Sequence, residues 1–206
     1  MATPHLGLDR ARTAPKVELH VHLDGSFDTQ LMYDTAKRRM ADGTLDKDVA
    51  AKVAACADVA AFHKIVTCGS TDRSLMAMLE KFFVFLPIVS GELATLEELA
   101  ARFVAEQAAQ NVLYTELRYS PHVLARDDTG GAPAVVDAVT RGLQRACTEH
   151  PGTEVQQILC LIDGRPEFAA ELLEIARAHR AAGAPCAVVA LDIAAGEACM
   201  RTSNLQ

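Results

Sequence analysis

Four residues with reactive side chains stand at alternate positions near the start of the chain: Glu18, His20, His22 and Asp24. In a β-strand, residues two apart point to the same side and lie about 6.6 Å apart along the strand axis. The four side chains would therefore share one face. Two imidazoles at this spacing can bind one Zn²⁺ at about 2.0–2.1 Å each. The pattern predicts a metal site, and two solvated histidines on a surface strand are the alternative.

The residues around the two histidines predict the strand that carries them. Residues 16–23 (KVELHVHL) alternate strictly between apolar and polar types, as a strand with two different faces does. The apolar face is expected to pack under helices. The polar face would point into a barrel, or into a cleft at the carboxyl end of the strand, where the sites of α/β proteins form.

The rest of the chain alternates strands with helices. Hydrophobic runs and turn residues predict strands at 16–23, 112–118, 154–162 and 186–193. Helical periodicity and capping residues predict helices over 27–40, 47–66, 72–86, 95–110, 133–150 and 166–182. This order is typical of βαβ units and a parallel sheet. The later strands are apolar throughout, which indicates strands buried on both faces.

Three finer expectations concern helix ends and charge pairing. Thr95 and Glu98 form a capping-box pattern, which predicts that a helix starts at Thr95. Pro87 is expected to interrupt the preceding helix. Glu116 and Arg118 share one face of a strand, where an inward ion pair between them would brace the structure.

Composition excludes several classes of protein. The 206 residues are 50% hydrophobic and 23% charged with a net charge of −7, which argues against a nucleic-acid-binding surface. Aromatic residues make up 5% and Trp is absent, so base-stacking platforms are not expected either. No apolar run approaches the ~20 residues of a membrane span and no secretory signal opens the chain, so a cytoplasmic protein is expected. The six cysteines include no C-x-x-C pair and are interpreted as reduced thiols.

Three segments resemble the adenosine deaminases, a family of metal-dependent amidohydrolases. Residues 15–26 (PKVELHVHLDGS) resemble the first-strand signature of the family, and residues 114–122 (YTELRYSPH) and 188–197 (VVALDIAAGE) resemble two later segments. The segments occur in the family's order, so the resemblance covers nearly all of residues 15–197. It implies a TIM-type (β/α)8 barrel, of which this chain holds only the first four strands and their helices.

The resemblance also implies a reaction and residues for it. In the family, zinc activates a water that attacks the ring carbon bearing the exocyclic amine, which turns adenosine into inosine and ammonia. His20 and His22 match the first two zinc ligands, and His22 is also assigned to the substrate site. Asp24 matches the carboxylate that accepts a hydrogen bond from the ribose hydroxyl. The expected partner is a small-molecule substrate, adenosine or a related 6-aminopurine nucleoside, and not nucleic acid or a membrane.

The resemblance assigns five further residues to substrate binding. Met78, Leu79, Phe82 and Phe83 match a helix that forms an apolar lid over the nucleoside, and the first three are assigned to substrate binding; a plain core-facing helix is the alternative. Ala195 stands where the family has a glycine whose backbone N–H meets the purine. Its methyl group would either crowd the base or leave Gly196 to take over with a one-residue shift.

The sequence departs from the family in length. A complete barrel needs about 250 residues and eight strands, and the later motifs of the family, which supply further zinc ligands and the acid/base groups, do not occur here. No catalytic acid or base is therefore assigned within this chain. We expect residues 1–14 to be a mobile leader, 15–197 the N-terminal half of the barrel and 198–206 an atypical tail.

This interpretation predicts that the 206-residue chain is truncated, and that it is inactive and poorly folded alone. One alternative is an aminohydrolase that acts on N6-modified AMP. Asp24, where an amide would suit that substrate better, favours the nucleoside enzyme. The other alternative is a non-catalytic truncated isoform that acts as an interaction partner.

Overall fold

The computed structural model describes residues 10–11, 13–69, 74–180 and 184–194. One sheet contains the strands β1 (Lys16–His22), β2 (Val112–Tyr119), β3 (Glu154–Ile162) and β4 (Val188–Ala194). The sheet order is β1-β2-β3-β4, and all neighbouring strands are parallel. The predicted four-stranded parallel sheet is therefore confirmed, although β4 begins at Val188 and not at residue 186.

Helices connect the strands, as parallel pairing requires. Between β1 and β2 lie α1 (Thr29–Ala41), α2 (Lys47–Ala54), α3 (Val59–Val66), α4 (Leu75–Val89) and α5 (Leu93–Ala109). The short α6 (Pro121–Leu124) and α7 (Gly131–Glu149) precede β3, and α8 (Ala169–His179) precedes β4. Short 3₁₀ turns lie at Leu23–Gly25, Asp127–Thr129 and Pro166–Phe168. Within the described ranges, no helix is long and apolar enough to cross a membrane.

Side-chain contacts explain two helix boundaries that the sequence pattern misplaced. Residues 47–66 form two helices instead of one, because the Asp58 side chain accepts a hydrogen bond from the Ala61 amide at 2.8 Å and begins α3 anew. Helix α5 begins at Leu93, so Thr95 lies in its first turn, where its hydroxyl is 3.4 Å from that of Thr35. The predicted helix start at Thr95 was wrong.

Pro87 lies in the last turn of α4 and does not end that helix, contrary to the expectation from its type. The last carbonyl groups of any helix lack partners within the helix. Arg39 of α1 supplies donors for two of them, because its Nη1 lies 2.6 Å from the Pro87 carbonyl and 2.9 Å from the Ile88 carbonyl. The Arg39 residue is only 2% exposed, and its guanidinium connects α1 to the end of α4 by these hydrogen bonds.

The hydrophobic core lies between the sheet and the helices that cover its outer face. Tyr119 of β2 and Leu159 of β3 are fully buried in one cluster with side chains of α5 and α7. These two helices approach so closely that a Cβ on Gly142 would lie 2.0 Å from the Glu97 carbonyl oxygen. Only glycine fits at that crossing, which sets the distance between α5 and α7.

Each outer strand of the sheet has one open edge, since β1 pairs only with β2 and β4 only with β3 in the part of the chain described. Apolar side chains on both strands are exposed: Val17 (61%) and Leu19 (55%) on β1, and Val189 (48%), Leu191 (47%) and Ile193 (47%) on β4. The expectations that β1 buries its whole apolar face and that β4 is buried on both faces were wrong. In a parallel sheet such side chains are covered by helices, and the described helices do not reach these.

Residues 10, 11, 13 and 14, within the predicted leader, lie beside the start of the sheet. The Ala14 amide donates to the Arg10 carbonyl at 2.8 Å, as in a helical turn. The Asn111 side chain, just before β2, donates to the Thr13 carbonyl. Residues 1–9 and the tail predicted at 198–206 lie outside the described residues.

Candidate active site

Strand β1 has an irregularity at the point where its first histidine lies. Glu18 pairs with Thr115 and Val21 pairs with Leu117, so two residues of β1 stand opposite one residue of β2. An extra residue of this kind is a β-bulge, which bends the strand and changes the direction of side chains. Strict alternation of the two faces, on which the sequence argument relied, therefore stops between Glu18 and Val21.

His20 and His22 lie together at the carboxyl end of β1. Their ring centroids are 5.5 Å apart and the ring planes are tilted by 39°. His20 is exposed and the His22 side chain is 36% exposed, so both rings are open to a ligand. Glu18 contacts the backbone at this point, because its Oε1 accepts a hydrogen bond from the His20 amide at 3.4 Å.

Asp24 lies in the 3₁₀ turn that follows β1 and is 6% exposed. Its Oδ2 accepts a hydrogen bond from the Ser120 amide at 3.5 Å, and its Oδ1 lies 3.5 Å from Nδ1 of His22. The structure therefore brings together His20, His22 and Asp24, the three residues that the sequence singled out most strongly. Ser120, at the end of β2, completes this group and was not predicted.

Three buried polar atoms at this place have no hydrogen-bond partner among the described residues: Asp24 Oδ1, Ser120 Oγ and Arg118 Nε. A buried polar group without a partner costs free energy, so native structures rarely contain several in one place. These atoms are therefore available to hydrogen-bond a polar ligand. They lie at the carboxyl ends of β1 and β2, where sites of α/β barrels form.

Arg118 lies on β2, two residues before Ser120, and bonds to both outer strands of the described sheet. Its Nη1 donates to Asp192 Oδ2 of β4 at 2.7 Å, and its Nη2 donates to the Leu19 carbonyl of β1 at 2.9 Å. The expected ion pair with Glu116 is not formed; Glu116 Oε1 instead accepts from the Tyr114 hydroxyl at 3.3 Å. Asp192 was missed because it lies 74 positions along the chain from Arg118.

The thiol of Cys160 on β3 lies within the field of these charges. Burial first, and then the negative charges of Asp192 and Asp24, raise its pKa to about 12, although Arg118 lowers it. At neutral pH this thiol stays protonated, and only the thiolate form is strongly nucleophilic. Cys160 therefore does not serve as a nucleophile in this site.

A small cavity adjoins Asp24. It measures about 50 Å³ and is lined by Asp24, Phe27, Met32, Phe85 and four neighbouring residues. Ligand pockets for drug-sized molecules measure about 300–1,000 Å³, whereas a cavity of this size holds only water. The cavity beside Asp24 therefore does not by itself hold a nucleoside.

The predicted lid residues lie on α4, along one open side of that helix. Met78 is 44% exposed, and Leu79 and Phe82 are partly buried. The Phe82 ring contacts that of Phe85, with 4.7 Å between centroids, and Phe85 meets Phe27 edge-on at 6.1 Å. The aromatic chain from α4 to the turn after β1 was not anticipated, because Phe27 and Phe85 meet only through tertiary packing. Ala195 and Gly196 lie outside the described residues.

The donor groups fit part of a zinc site. Zinc in catalytic sites takes three protein ligands and a water, and His nitrogen is a preferred ligand. His20 and His22 offer two open imidazoles 5.5 Å apart. No group of three or more His, Cys, Asp or Glu side chains within the described ranges could hold a metal ion. The pair could therefore supply two of the three ligands that such a site needs.

Comparison with known proteins places the chain in a family. The family model described as adenosine deaminase matches residues 15–206. The chain therefore belongs to the adenosine deaminase family, as its three segments indicated.

Individual relatives match most of the chain. It is 31% identical over 194 residues to adenosine deaminase of Mus musculus, and the matched region covers 89% of this chain and 50% of that protein. It is 30% identical over 199 residues to adenosine deaminase of Xenopus laevis, and that match covers 91% of this chain and 51% of the relative. The chain spans about half the length of these curated relatives.

Solved structures show the same fold at low sequence identity. Arabidopsis ADAL complexed with GMP superposes with a TM-score of 0.74 at 23% identity, covering 95% of this chain and 54% of that one. An amidohydrolase from Burkholderia ambifaria with bound Zn gives a TM-score of 0.73 at 18% identity, covering 98% and 50%. The Arabidopsis N6-mAMP deaminase MAPDA superposes with a TM-score of 0.72 at 22% identity, and the match covers 95% of this chain and 54% of that one. The four strands and their helices thus correspond to the first part of a TIM barrel, as predicted.

Proposed function

We propose that the protein with this chain is a zinc-dependent hydrolase that converts adenosine, or a close 6-aminopurine nucleoside, into the 6-oxo product and ammonia. Membership of the adenosine deaminase family supports the class of reaction. The observation that carries the assignment to this site is the histidine pair, 5.5 Å apart, beside the buried carboxylate of Asp24. We place the protein in the reducing cytosol, where its described cysteines remain free thiols.

His20 and His22 would hold the zinc. When bound, zinc lowers the pKa of its water and supplies a hydroxide nucleophile near neutral pH. Asp24 Oδ1 lies 3.5 Å from His22 Nδ1, so the carboxylate stands beside this ring without a hydrogen bond to it. His22 would then serve both the metal and the substrate, with the Asp24 carboxylate beside it.

Asp24 would accept a hydrogen bond from a ribose hydroxyl. The unpaired Oδ1 is an acceptor without a donor in the described structure, and the Ser120 amide steadies the other oxygen at 3.5 Å. A carboxylate at this position attracts a hydroxyl donor and repels a phosphate monoester. This charge favours a nucleoside over a nucleotide as the substrate.

Met78, Leu79 and Phe82 would cover the apolar faces of the purine and exclude water from the reacting carbon. The exposure of Met78 (44%) leaves apolar area available for a ligand to bury. Ala195 and Gly196 remain the proposed backbone contacts to the purine. No group of this chain is assigned as the acid or base, and the remaining zinc ligand and the acid/base groups would come from the rest of a full barrel.

A second candidate is hydrolysis of N6-modified AMP, which the structural likeness to an Arabidopsis N6-mAMP deaminase favours. Turnover of adenosine and of N6-methyl-AMP by the zinc-loaded protein at its native length separates the two. We expect inosine and ammonia from adenosine, with kcat/KM at least about tenfold above that for N6-methyl-AMP. A preference for the nucleotide would establish the second candidate, and turnover of neither substrate would establish the non-catalytic alternative.

Metal dependence is tested in the same assay. Removal of zinc with a chelator should abolish deamination, and stoichiometric Zn²⁺ should restore it. The 206-residue chain by itself, supplied with Zn²⁺, should form no inosine. Measurable turnover by this chain alone would contradict the proposed division of the site between two halves of a barrel.

A further inference from the structure

Two cysteines lie side by side at the opposite edge of the sheet from the histidines. Cys147 is in the last turn of α7, and Cys186 is in the loop just before β4. The Cys186 thiol donates a hydrogen bond to the sulfur of Cys147, with 3.7 Å between the two Sγ atoms. Both are free thiols; Cys147 is partly exposed and Cys186 is 2% exposed. A solvent-borne reagent can therefore reach the pair through Cys147.

Hydrogen bonds hold the loop so that the two sulfurs remain adjacent. Gln144, one helical turn before Cys147, donates to the Pro185 carbonyl at 3.1 Å. The Gln157 side chain donates to the Cys186 carbonyl, and its backbone amide donates to the Ala187 carbonyl at 2.9 Å. Cys186 has a φ of 60°, a left-handed conformation that costs free energy for a residue with a Cβ. The surrounding bonds maintain that conformation and so fix the direction of its thiol.

The two thiols differ in acidity in a way that gives each a role. The hydrogen bond from Cys186 lowers the pKa of Cys147, although burial and the charge of Glu154 oppose this. The same hydrogen bond raises the pKa of Cys186, and burial raises it further. The thiolate therefore forms on Cys147, which is also the more accessible sulfur, and Cys186 keeps its proton beside it.

We propose that Cys147 and Cys186 form an oxidation site at which a hydroperoxide converts the two thiols into an intramolecular disulfide. The Cys147 thiolate attacks one peroxide oxygen, the O–O bond breaks, and the leaving oxygen takes a proton, which produces a sulfenic acid on Cys147. The Cys186 sulfur then attacks the Cys147 sulfur; the S–O bond breaks and water leaves as the S–S bond forms. With hydrogen peroxide, two thiols lose two electrons and two protons, and one peroxide becomes two waters.

The short distance between the two sulfurs favours this step. The sulfurs must approach from 3.7 Å to about 2.05 Å, a movement that rotation of the side chains can supply. The bond would tie the end of α7 to the start of β4. Since β4 carries Asp192, the partner of Arg118, oxidation would restrain the strand that completes the inner ion pair.

Peptide mapping after graded oxidation tests the site. The reduced protein at its native length is treated with up to one equivalent of hydrogen peroxide, remaining thiols are alkylated, and the digest is analysed without reduction. We expect a peptide that links Cys147 to Cys186, an intact mass lower by ~2 Da, and a Tm raised by about 5 °C that a reductant reverses. Cys147→Ser should eliminate the linked peptide.

Cys56→Ser is the matched control. Cys56 is also partly exposed, but its thiol donates to the Lys52 carbonyl at 3.4 Å, and burial raises its pKa. This variant should form the Cys147–Cys186 link as fast as the wild-type protein. The proposal is overturned if both cysteines are alkylated while the exposed Cys68 is oxidised, or if Cys147 joins a different cysteine.

Discussion

Arg118 on β2 and Asp192 on β4 are joined by a hydrogen-bonded ion pair of 2.7 Å that crosses the intervening strand β3. The other terminal nitrogen of Arg118 donates to the Leu19 carbonyl of β1 at 2.9 Å. One side chain thus connects both edge strands of the sheet across its inner face. Because Leu19 belongs to the bulge and directly precedes His20, the same bond fixes the backbone that carries the histidine pair.

Replacement of Arg118 should destabilise the sheet. Arg118→Met keeps the length of the side chain but leaves Asp192 and the Leu19 carbonyl without their donor. We expect the free energy of unfolding to fall by about 2–3 kcal/mol, less than for a fully buried pair because the Asp192 side chain is 31% exposed. Urea unfolding followed by circular dichroism measures this. Combined with Asp192→Asn, the effects should be non-additive by about 1–2 kcal/mol; strictly additive effects would show that the pair does not couple the strands.

Asp24 should determine how well a nucleoside binds. Asp24→Asn retains the size of the side chain and can still meet the Ser120 amide, but it removes the charge that accepts the ribose hydroxyl. We expect kcat/KM for adenosine to fall about 10–100-fold with zinc retained. Asp34→Asn, at an exposed aspartate of α1, is the control and should leave turnover unchanged. Equal turnover by Asp24→Asn and the wild-type protein would exclude this role.

The two interpretations of α4 make different predictions for Met78. If this side chain covers the substrate, Met78→Ser should raise KM for adenosine about five- to tenfold and leave the Tm unchanged. If Met78 belongs to the core, Met78→Ser should lower the Tm and leave KM for adenosine unchanged. Glu80→Ser, at an exposed side chain on the same helix, is the control for both quantities. We expect the first result, because Met78 is already 44% exposed in the described structure.

Acid should weaken the contact between α5 and α7 through Glu98. Hydrogen bonds from Arg145 at 2.7 Å and Arg102 at 3.0 Å, in that order of effect, lower the pKa of the Glu98 carboxyl, although burial opposes this. A carboxyl with a lowered folded-state pKa stabilises the protein above its unfolded pKa of about 4.3, and this stabilisation is lost as the pH falls through the folded-state pKa.

Glu98→Gln tests this contribution directly. The side chain is 38% exposed, so solvent screening limits the loss of stability at pH 7 to about 0.5–1 kcal/mol. The difference between the variant and the wild-type protein should shrink as the pH is lowered below about 4. Glu80→Gln, at an exposed glutamate of α4, should show no such difference at any pH. A Glu98 effect that persists undiminished in acid would contradict the assignment of the lowered pKa.

Local sequence patterns predicted the order of the strands and most of their bounds. The strand predicted at 154–162 is β3 as observed, because turn residues bound an apolar run on both sides. Helix boundaries were less predictable where a cap competes with periodicity. Asp58 divides one apolar pattern into two helices, and Thr95 contacts Thr35 within a helix that it was expected to begin. The Asp58 cap is a local bond to Ala61 and the Thr95 contact is tertiary, and the apolar periodicity contains neither.

The candidate site was predictable only where its residues are neighbours in sequence. His20, His22 and Asp24 lie within one short segment, and the structure brings them together as the spacing indicated. Ser120 and Asp192 come from later strands, so no local pattern connects them with Asp24 or Arg118. The bulge in β1 was also hidden, because it is defined by the register with β2 and not by the types of residue in β1.

The zinc content of the purified protein tests the central claim most directly. Zinc per chain is measured after dialysis against metal-free buffer, at the native length, for the wild-type protein and for a variant with His20→Ala and His22→Ala together. His150→Ala is the control, because His150 lies between α7 and the start of β3, at the end of the sheet opposite to the histidine pair. The account predicts about one zinc per chain for the wild-type protein and the control, and a nearly complete loss for the double variant with its helical content preserved. Equal zinc in a folded double variant would show that the histidine pair does not hold the metal.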